Sequence, residues 1–391
     1  MIRRILAALA AVSLGSVAAG SVQAQSVLDP SFEITAFGDF PIEGDSSEDS
    51  FFNARLDAYL AVRDIWEGGS LSFHLEYLDG DDFEGLGGAG VVWPTNVYAA
   101  VPKATSSNNA TLSFTLTQKI TPATSVTFGK FNVVALAKNT PLLGGNGKGG
   151  FQYTGIAASP TFVFPPYVFG GSLAVTTERW NYSLMIYDPN NAQGGDFWDH
   201  LFEDGVVFNG TATYKAQIGG LPGFYAINLI HSTAEGTNYD SLASNSAIDT
   251  FSQTTKGITV ASLKFQQYLS HNPAGTNEGW GVFGQLTFGD GNPNQLDNIF
   301  VLGVGGTSPI EGRSDDRWGL AWARFNWSDK MVAALEAGGG AGLRDEWAVE
   351  AYYEAALVNG MRVGANVMHI HPGTPGYDDY TQFGVRFRAT F

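Results

Sequence analysis

The last ten residues, QFGVRFRATF, set the strictest condition on what this chain can fold into. In an extended strand, side chains alternate between two faces. Phe383, Val385, Phe387, Ala389 and Phe391 therefore share one face. Gln382, Gly384, Arg386, Arg388 and Thr390 share the other. A strand that is apolar on one side and cationic on the other has two uses. In a water-soluble sandwich the apolar row packs into a core. In a membrane barrel it meets lipid, and the polar row meets water.

The same alternation recurs along the chain. Trp347, Val349, Ala351, Tyr353 and Ala355 oppose Glu346, Glu350, Tyr352 and Glu354. Leu56, Ala58, Leu60 and Val62 oppose Arg55, Asp57, Tyr59 and Arg63. Leu71, Phe73, Leu75 and Tyr77 oppose Ser72, His74 and Glu76. Trp318, Leu320 and Trp322 oppose Gly319, Ala321 and Ala323. Shorter runs are TLSFTLT and WNYSLMIY. Tyr and Trp gather at the ends of these runs, where membrane interfaces favour them.

Composition narrows the choice. Only 15% of the residues are charged and 49 of 391 are Gly, against roughly 25% and 7% in ordinary soluble proteins. With no Cys, there is no disulfide framework or thiol chemistry. Asp and Glu outnumber Lys and Arg 38 to 21, which excludes a basic nucleic-acid footprint. Residues 1–24 read as an export signal: Arg3 and Arg4 start it, Ile5 to Val12 form a short apolar core, and Val22-Gln23-Ala24 supplies a small-residue cleavage site. The remaining 25–391 contain no run long and apolar enough for a helical span. The way left to cross lipid is a closed β-barrel, in which every backbone N–H and C=O is paired.

The periodicity predicts an all-β, transmembrane antiparallel barrel of about 16 strands. Residues 330–337, KMVAALEA, are read as one of them. Val358-Asn359-Gly360 and Asn326 to Asp329 are read as short connections, with 338–345 as a longer loop between. If the last strand runs towards the periplasm, the short turns fall there. Residues 132–167 hold no convincing strand. Their aromatic residues, Phe151, Tyr153, Phe162, Phe164 and Tyr167, favour a long loop folded towards the lumen over one exposed outside.

Three segments resemble the carbohydrate-selective porins of the OprB type. Residues 279–325 carry Gly279, Gly281 and Phe283, then Gly312, Arg313, Asp315, Asp316, Gly319 and Leu320, in the order of that family's motifs. Residues 345–373 carry Glu346, Glu350, Tyr353, Pro372 and Gly373. Residues 51–82 are similar to the family's second and third strands. His371 stands where the family usually has Asn. The resemblance implies a 16-stranded outer-membrane barrel of a Gram-negative bacterium. It also implies a constriction of Arg and acidic residues beside aromatics, and passive diffusion of mono- and oligosaccharides.

Sugars present hydroxyls that donate and accept, plus an apolar ring face. Carboxylates, planar Arg forks and aromatics suit them. Glu346, Glu350 and Glu354 form an acidic ladder, Arg386 and Arg388 a basic one, and Arg362 lies on the strand between. Arg324, Arg55, Asp57 and Glu76 complete the pore-lining candidates. The plainer reading pairs these charges across neighbouring strands. Two other functions stay open. One is a cation-leaning porin, from the acidic excess. The other is a barrel hydrolase built on His74 or His231. No cofactor motif appears, and His369 and His371 lack a third metal ligand nearby. Expected partners are small sugars, outer-membrane lipid, lipopolysaccharide at the acidic 79–85, the barrel-assembly machinery at the last strand, and copies of the chain in a homotrimer.

Overall fold

The structure, a computed structural model, describes residues 28–81, 88–103, 109–145, 147–161, 163–243, 253–271, 278–358 and 360–391. The export signal read in residues 1–24 lies outside the described residues, as do residues 82–85 of the acidic 79–85 segment.

Sixteen strands form one closed antiparallel barrel. They are β1 (Leu28–Glu43), β2 (Phe51–Arg63), β3 (Gly69–Gly80), β4 (Ala110–Thr121), β5 (Thr124–Asn132), β6 (Tyr167–Thr176), β7 (Trp180–Tyr187) and β8 (Val207–Ile218). The second half comprises β9 (Leu221–Thr237), β10 (Thr254–His271), β11 (Gly279–Gly289), β12 (Leu296–Thr307), β13 (Arg317–Trp327), β14 (Glu346–Val358), β15 (Met361–His371) and β16 (Tyr380–Thr390). Each strand pairs with its chain neighbours, and β16 closes on β1. At that seam Phe391 N–H donates to Phe32 O at 2.8 Å, and Phe32 N–H donates back at 3.1 Å. The barrel thus has no free sheet edge.

Alternation separates the two faces. On β16 Val385 and Phe387 are 38% and 41% exposed, while Gln382 and Arg386 are buried. On β14 Glu346, Glu350 and Glu354 are wholly buried, and Tyr353 is exposed. Aromatics cluster outside: Trp180 lies 5.7 Å from Tyr182 and 5.0 Å from Tyr214, beside the 177–179 turn.

The two ends differ. One carries tight connections at 64–68, 122–123, 177–179, 219–220 and 359–360. Gly219 and Gly220 have φ of 61° and 79°, the positive values that a two-residue hairpin turn needs. The opposite end carries the long connections, among them 81–109, 133–166, 188–206 and 328–345. At the short-turn end Asp316 locks the 308–316 connection onto β14. Its carboxylate accepts from Tyr353 Oη (2.5 Å), Ala356 N–H (2.8 Å) and Arg313 Nε (2.6 Å). Burial pushes this carboxyl up, but those donors outweigh it and hold it below its ordinary 3.8.

Residues 330–337 are not a strand; Asp329–Ala337 is an α-helix. Ser328 caps it, accepting from Met331 N–H, and Asp329 complements the positive end of the helix dipole. Met331 and Ala334, one turn apart, are buried beside Trp327 and Tyr239. Asn326 to Asp329 is accordingly no short connection: β13 ends at Trp327, and a single long connection, 328–345, leads to β14.

The outer row of β12 offers a direct check of orientation. Leu302 is 47% exposed at mid-strand. Leu302→Arg is expected to lower unfolding stability in lipid vesicles by about 2–4 kcal/mol, read from urea titration. An unchanged midpoint would place this row away from lipid.

Candidate lumen site

Three acidic side chains of β14 organise the inside of the barrel. They sit four residues apart, on alternate inward positions of one strand. Glu346 accepts from Val92 N–H (2.7 Å), Gly373 N–H (2.8 Å), Trp93 N–H (3.3 Å) and Tyr153 Oη (2.6 Å). It thereby ties the connections 81–109, 133–166 and 372–379 to one carboxylate. Glu350 accepts from Gln152 N–H (2.8 and 3.0 Å), Tyr153 N–H (3.0 Å) and Asn366 Nδ2 (2.9 Å). Glu354 pairs with Arg388 at 3.0 Å and Arg362 at 3.5 Å.

The basic ladder of β16 completes the arrangement. Arg386 is buried, and its Nη2 donates to Gly149 O at 2.6 Å. Arg388 bridges Glu354 and Glu33, the latter at 3.3 Å. Lys148 places its ammonium 2.5 Å from both Glu33 and Asp57. Gly149 lets the segment approach this closely: a Cβ there would stand 2.6 Å from Arg388 Nη2 and 2.7 Å from the Glu354 carboxylate, so the ion pair would have to shift.

A second knot of charge lies on β2 and β3. Arg55 forks onto Asp57 at 2.9 and 3.0 Å, touches Glu76, and donates to Val101 O (2.8 Å) and Tyr98 O (3.2 Å) of the 81–109 connection. His74 meets Asp57 at 2.7 Å and stacks on Tyr59 with ring centres 4.2 Å apart. The ligating atoms of Asp57, His74 and Glu76 lie within 4.8 Å of one another. Arg55 and Lys148 already neutralise the two carboxylates.

Of the ten candidates read from sequence, nine point inward and join these two networks. Arg324 does not. It shares the outward parity of Leu320 and Trp322, is exposed, and pairs with Asp345 at 2.6 Å beside Asn326. Glu346, Glu350, Glu354, Asp57, Glu76, Arg55 and Arg386 are all buried, capped by connecting segments rather than open to water. Arg362 and Arg388 keep the most exposure. His369 and His371 lie on the outward parity of β15 and meet Asp379 at 3.5 and 2.6 Å.

The 133–166 connection also packs on an apolar stretch of inner wall. Phe151, Tyr153 and Ile156 join Phe283, Ile299, Val301 and Phe325 in one buried cluster. Gly319 leaves room for it, since a Cβ there would lie 2.7 Å from the Phe151 ring. Two cavities border the segment. The larger, about 880 Å³, reaches Asn209, Asn228, Lys264 and Gln285. The smaller, about 580 Å³, reaches Tyr59, Ser72, His74 and Lys130 on the short-turn side. Leu136 lines both. Sequence reasoning missed Lys148, Glu33 and Lys264. Lys148 had a signal in its run of flanking glycines, which lets a short loop approach a wall closely.

A closed barrel with an apolar outside, charged ladders within and cavities along its interior defines a transmembrane channel of the outer-membrane type. The chain belongs to the carbohydrate-selective porins, OprB family, whose family model matches residues 46–391. The high-pH structure of Pseudomonas putida OprB superposes with a TM-score of 0.76 at 17% identity, covering 93% of this chain and 94% of that one. The low-pH structure of the same protein gives 0.55 at 14% identity, covering 93% and 92%. These likenesses describe the fold. No curated protein sequence matches the chain.

Glu350 gives the sharpest test of the arrangement. Glu350→Ala leaves two buried backbone N–H groups of residues 152–153 without a partner, at about 1–3 kcal/mol each. The variant is expected to show larger, noisier single-channel conductance and tryptic cleavage after Lys148. Conductance and cleavage equal to those of the unaltered chain would separate Glu350 from the position of this segment.

Proposed function

We propose that the chain is an outer-membrane porin through which mono- and oligosaccharides diffuse passively, with the 133–166 segment folded into the lumen as its narrowing element. Family membership over residues 46–391 supports the carbohydrate class. The observation that carries the path is the pair of cavities meeting at Leu136, a side chain 43% exposed on a segment otherwise pinned to the wall. Around them lie the groups a sugar uses. Asn209, Asn228 and Gln285 offer amides, and the stacked Tyr59–His74 pair offers a ring face.

The acidic excess does not by itself favour a cation path. The inward carboxylates of β2, β3 and β14 are matched by Arg and Lys or by backbone N–H groups. A field built from neutralised pairs is short-ranged and leaves selection to size and hydrogen bonding. With this reading go export by residues 1–24, delivery of the final strand to the barrel-assembly machinery, and residence in a Gram-negative outer membrane. Phe391 is 57% exposed at the chain end, accessible to such a partner.

Swelling of vesicles that hold the protein, in a graded series of sugars, tests the function. Hexoses are expected to enter fastest, with rates falling as chain length grows. Leu136→Trp is expected to slow disaccharides more than hexoses. Failure of every mono- and disaccharide to cause swelling contradicts the reading.

A further inference from the structure

Glu354, Arg362 and Arg388 of the ladders are paired internally, while Arg386 keeps Nε and Nη1 buried without a hydrogen-bond partner; a further inward charge stands apart from the ladders. It lies on the opposite arc of the barrel, β8 to β11, where the larger cavity touches the wall. This arc is lined by Asn209, Thr211, Asn228, Gln285 and one ionic group, Lys264. Strand register makes them neighbours. Lys264 pairs with Gln285 of β11, Ser262 with Asn228 of β9, and Asn228 with Thr211 of β8.

Among the described residues Lys264 is the one cavity-lining lysine whose ammonium has no partner: Lys103 donates to Gly80 O and Lys130 to Thr111 Oγ1 and Gln193 O, while Lys119, also unpartnered, is exposed beside the 122–123 turn. Lys148, Lys256 and Lys330 each have a carboxylate partner. Lys264, among the described residues, takes part in no ion pair and no hydrogen bond. Its amide neighbours are occupied with one another. Asn228 Nδ2 donates to Asn209 Oδ1 (2.5 Å) and Thr211 Oγ1 (2.9 Å), and Gln285 Nε2 donates to Thr287 Oγ1 (2.9 Å). The three N–H donors of the ammonium are left for whatever enters the cavity.

The balance of charge agrees. The described residues lining this cavity include two lysines, Lys103 and Lys264, and one acid, Asp81. Asp81 is already engaged, accepting Phe52 N–H at 2.7 Å. The cavity lining is therefore cationic inside a chain whose formal charge is −17. The same cavity is lined by an apolar stretch that includes Val134, Leu143 and Ile156. One apolar wall, a row of amides and a single free ammonium match a sugar ring that bears one carboxylate.

We propose that Lys264 is a subsite for acidic sugars, of the uronate or aldonate class, and that the channel favours them over neutral sugars of equal size. This rests on the porin reading above and narrows its substrate class. The carboxylate pairs with the Lys264 ammonium, the hydroxyls meet Asn228 and Gln285, and the C–H face lies on the apolar wall. A charge-assisted hydrogen bond in a partly desolvated cavity is stronger than its neutral counterpart, and added salt weakens it.

The test is uptake of radiolabelled glucose and glucuronate into vesicles that hold the full chain, with sodium and a sodium ionophore present to dissipate any potential. The glucuronate-to-glucose ratio is expected to exceed one and to fall as salt rises. Lys264→Gln is expected to cut the ratio about fivefold with glucose uptake within about twofold, while Lys264→Arg preserves it. Glucose uptake also certifies that each variant has inserted. A ratio below one in the unaltered chain, or a ratio unmoved by Lys264→Gln, overturns the acidic-sugar subsite and leaves the porin reading standing. Uptake of neither sugar overturns both. Should Lys264→Gln not insert, the ratio in the unaltered chain and its salt dependence decide alone.

Discussion

Every part of this molecule answers to one requirement: backbone N–H and C=O groups that cross lipid must find partners within the protein. Sixteen antiparallel strands meet it by closing β16 onto β1, down to the reciprocal bonds between Phe32 and Phe391. Closure then assigns the two faces. One row of side chains meets lipid and stays apolar; the other encloses a space that the chain must fill, wet or pair. The arrangement of Glu346, Glu350 and Glu354 follows from that second task. Each buried carboxylate is satisfied, two of them by backbone donors from connecting segments and the third by Arg388 and Arg362.

Much of this was legible in the residues, because period two is a strong signal when one face is lipid. The rows of β16, β14, β3 and β2 fall on the faces the alternation assigns. It misled at KMVAALEA, where alternation is compatible with a strand and a helix alike. The deciding features were local, Ser328 as cap and Met331 with Ala334 one turn apart, and they were weighed less than the neighbouring strands. Arg324 is another instance: its residue type suggested the lumen, while its parity with Leu320 and Trp322 placed it outside.

The candidate site was legible in its members and not in its wiring. A sequence shows that Glu350 and Arg386 point inward. It does not show that Gln152 and Gly149 arrive from a distant connection to cover them. Such contacts span 198 and 237 residues of chain and leave no periodic trace. For the same reason, Lys264 attracts no notice in its own strand. Its character comes from what its neighbours on β9 and β11 lack. The result divides the inner wall. The β14 to β3 arc holds paired charge that anchors connecting segments, the β11 to β13 arc is apolar and small, and the β8 to β11 arc borders the larger cavity. The proposed acidic-sugar subsite lies on the last.

The account turns on which rows of side chains touch water and which touch lipid, and the chain has no Cys to complicate labelling. Single cysteines placed along β9 measure it. At Ile227 and Leu229, exposed outward by 55% and 57%, a cysteine in vesicles should react with a lipid-soluble maleimide and resist a charged one. At Asn228 and Ile230, both lining the larger cavity, the preference should reverse. Equal labelling at all four positions, or the charged reagent favouring Ile227 and Leu229, would contradict a wet lumen enclosed by a lipid-facing wall.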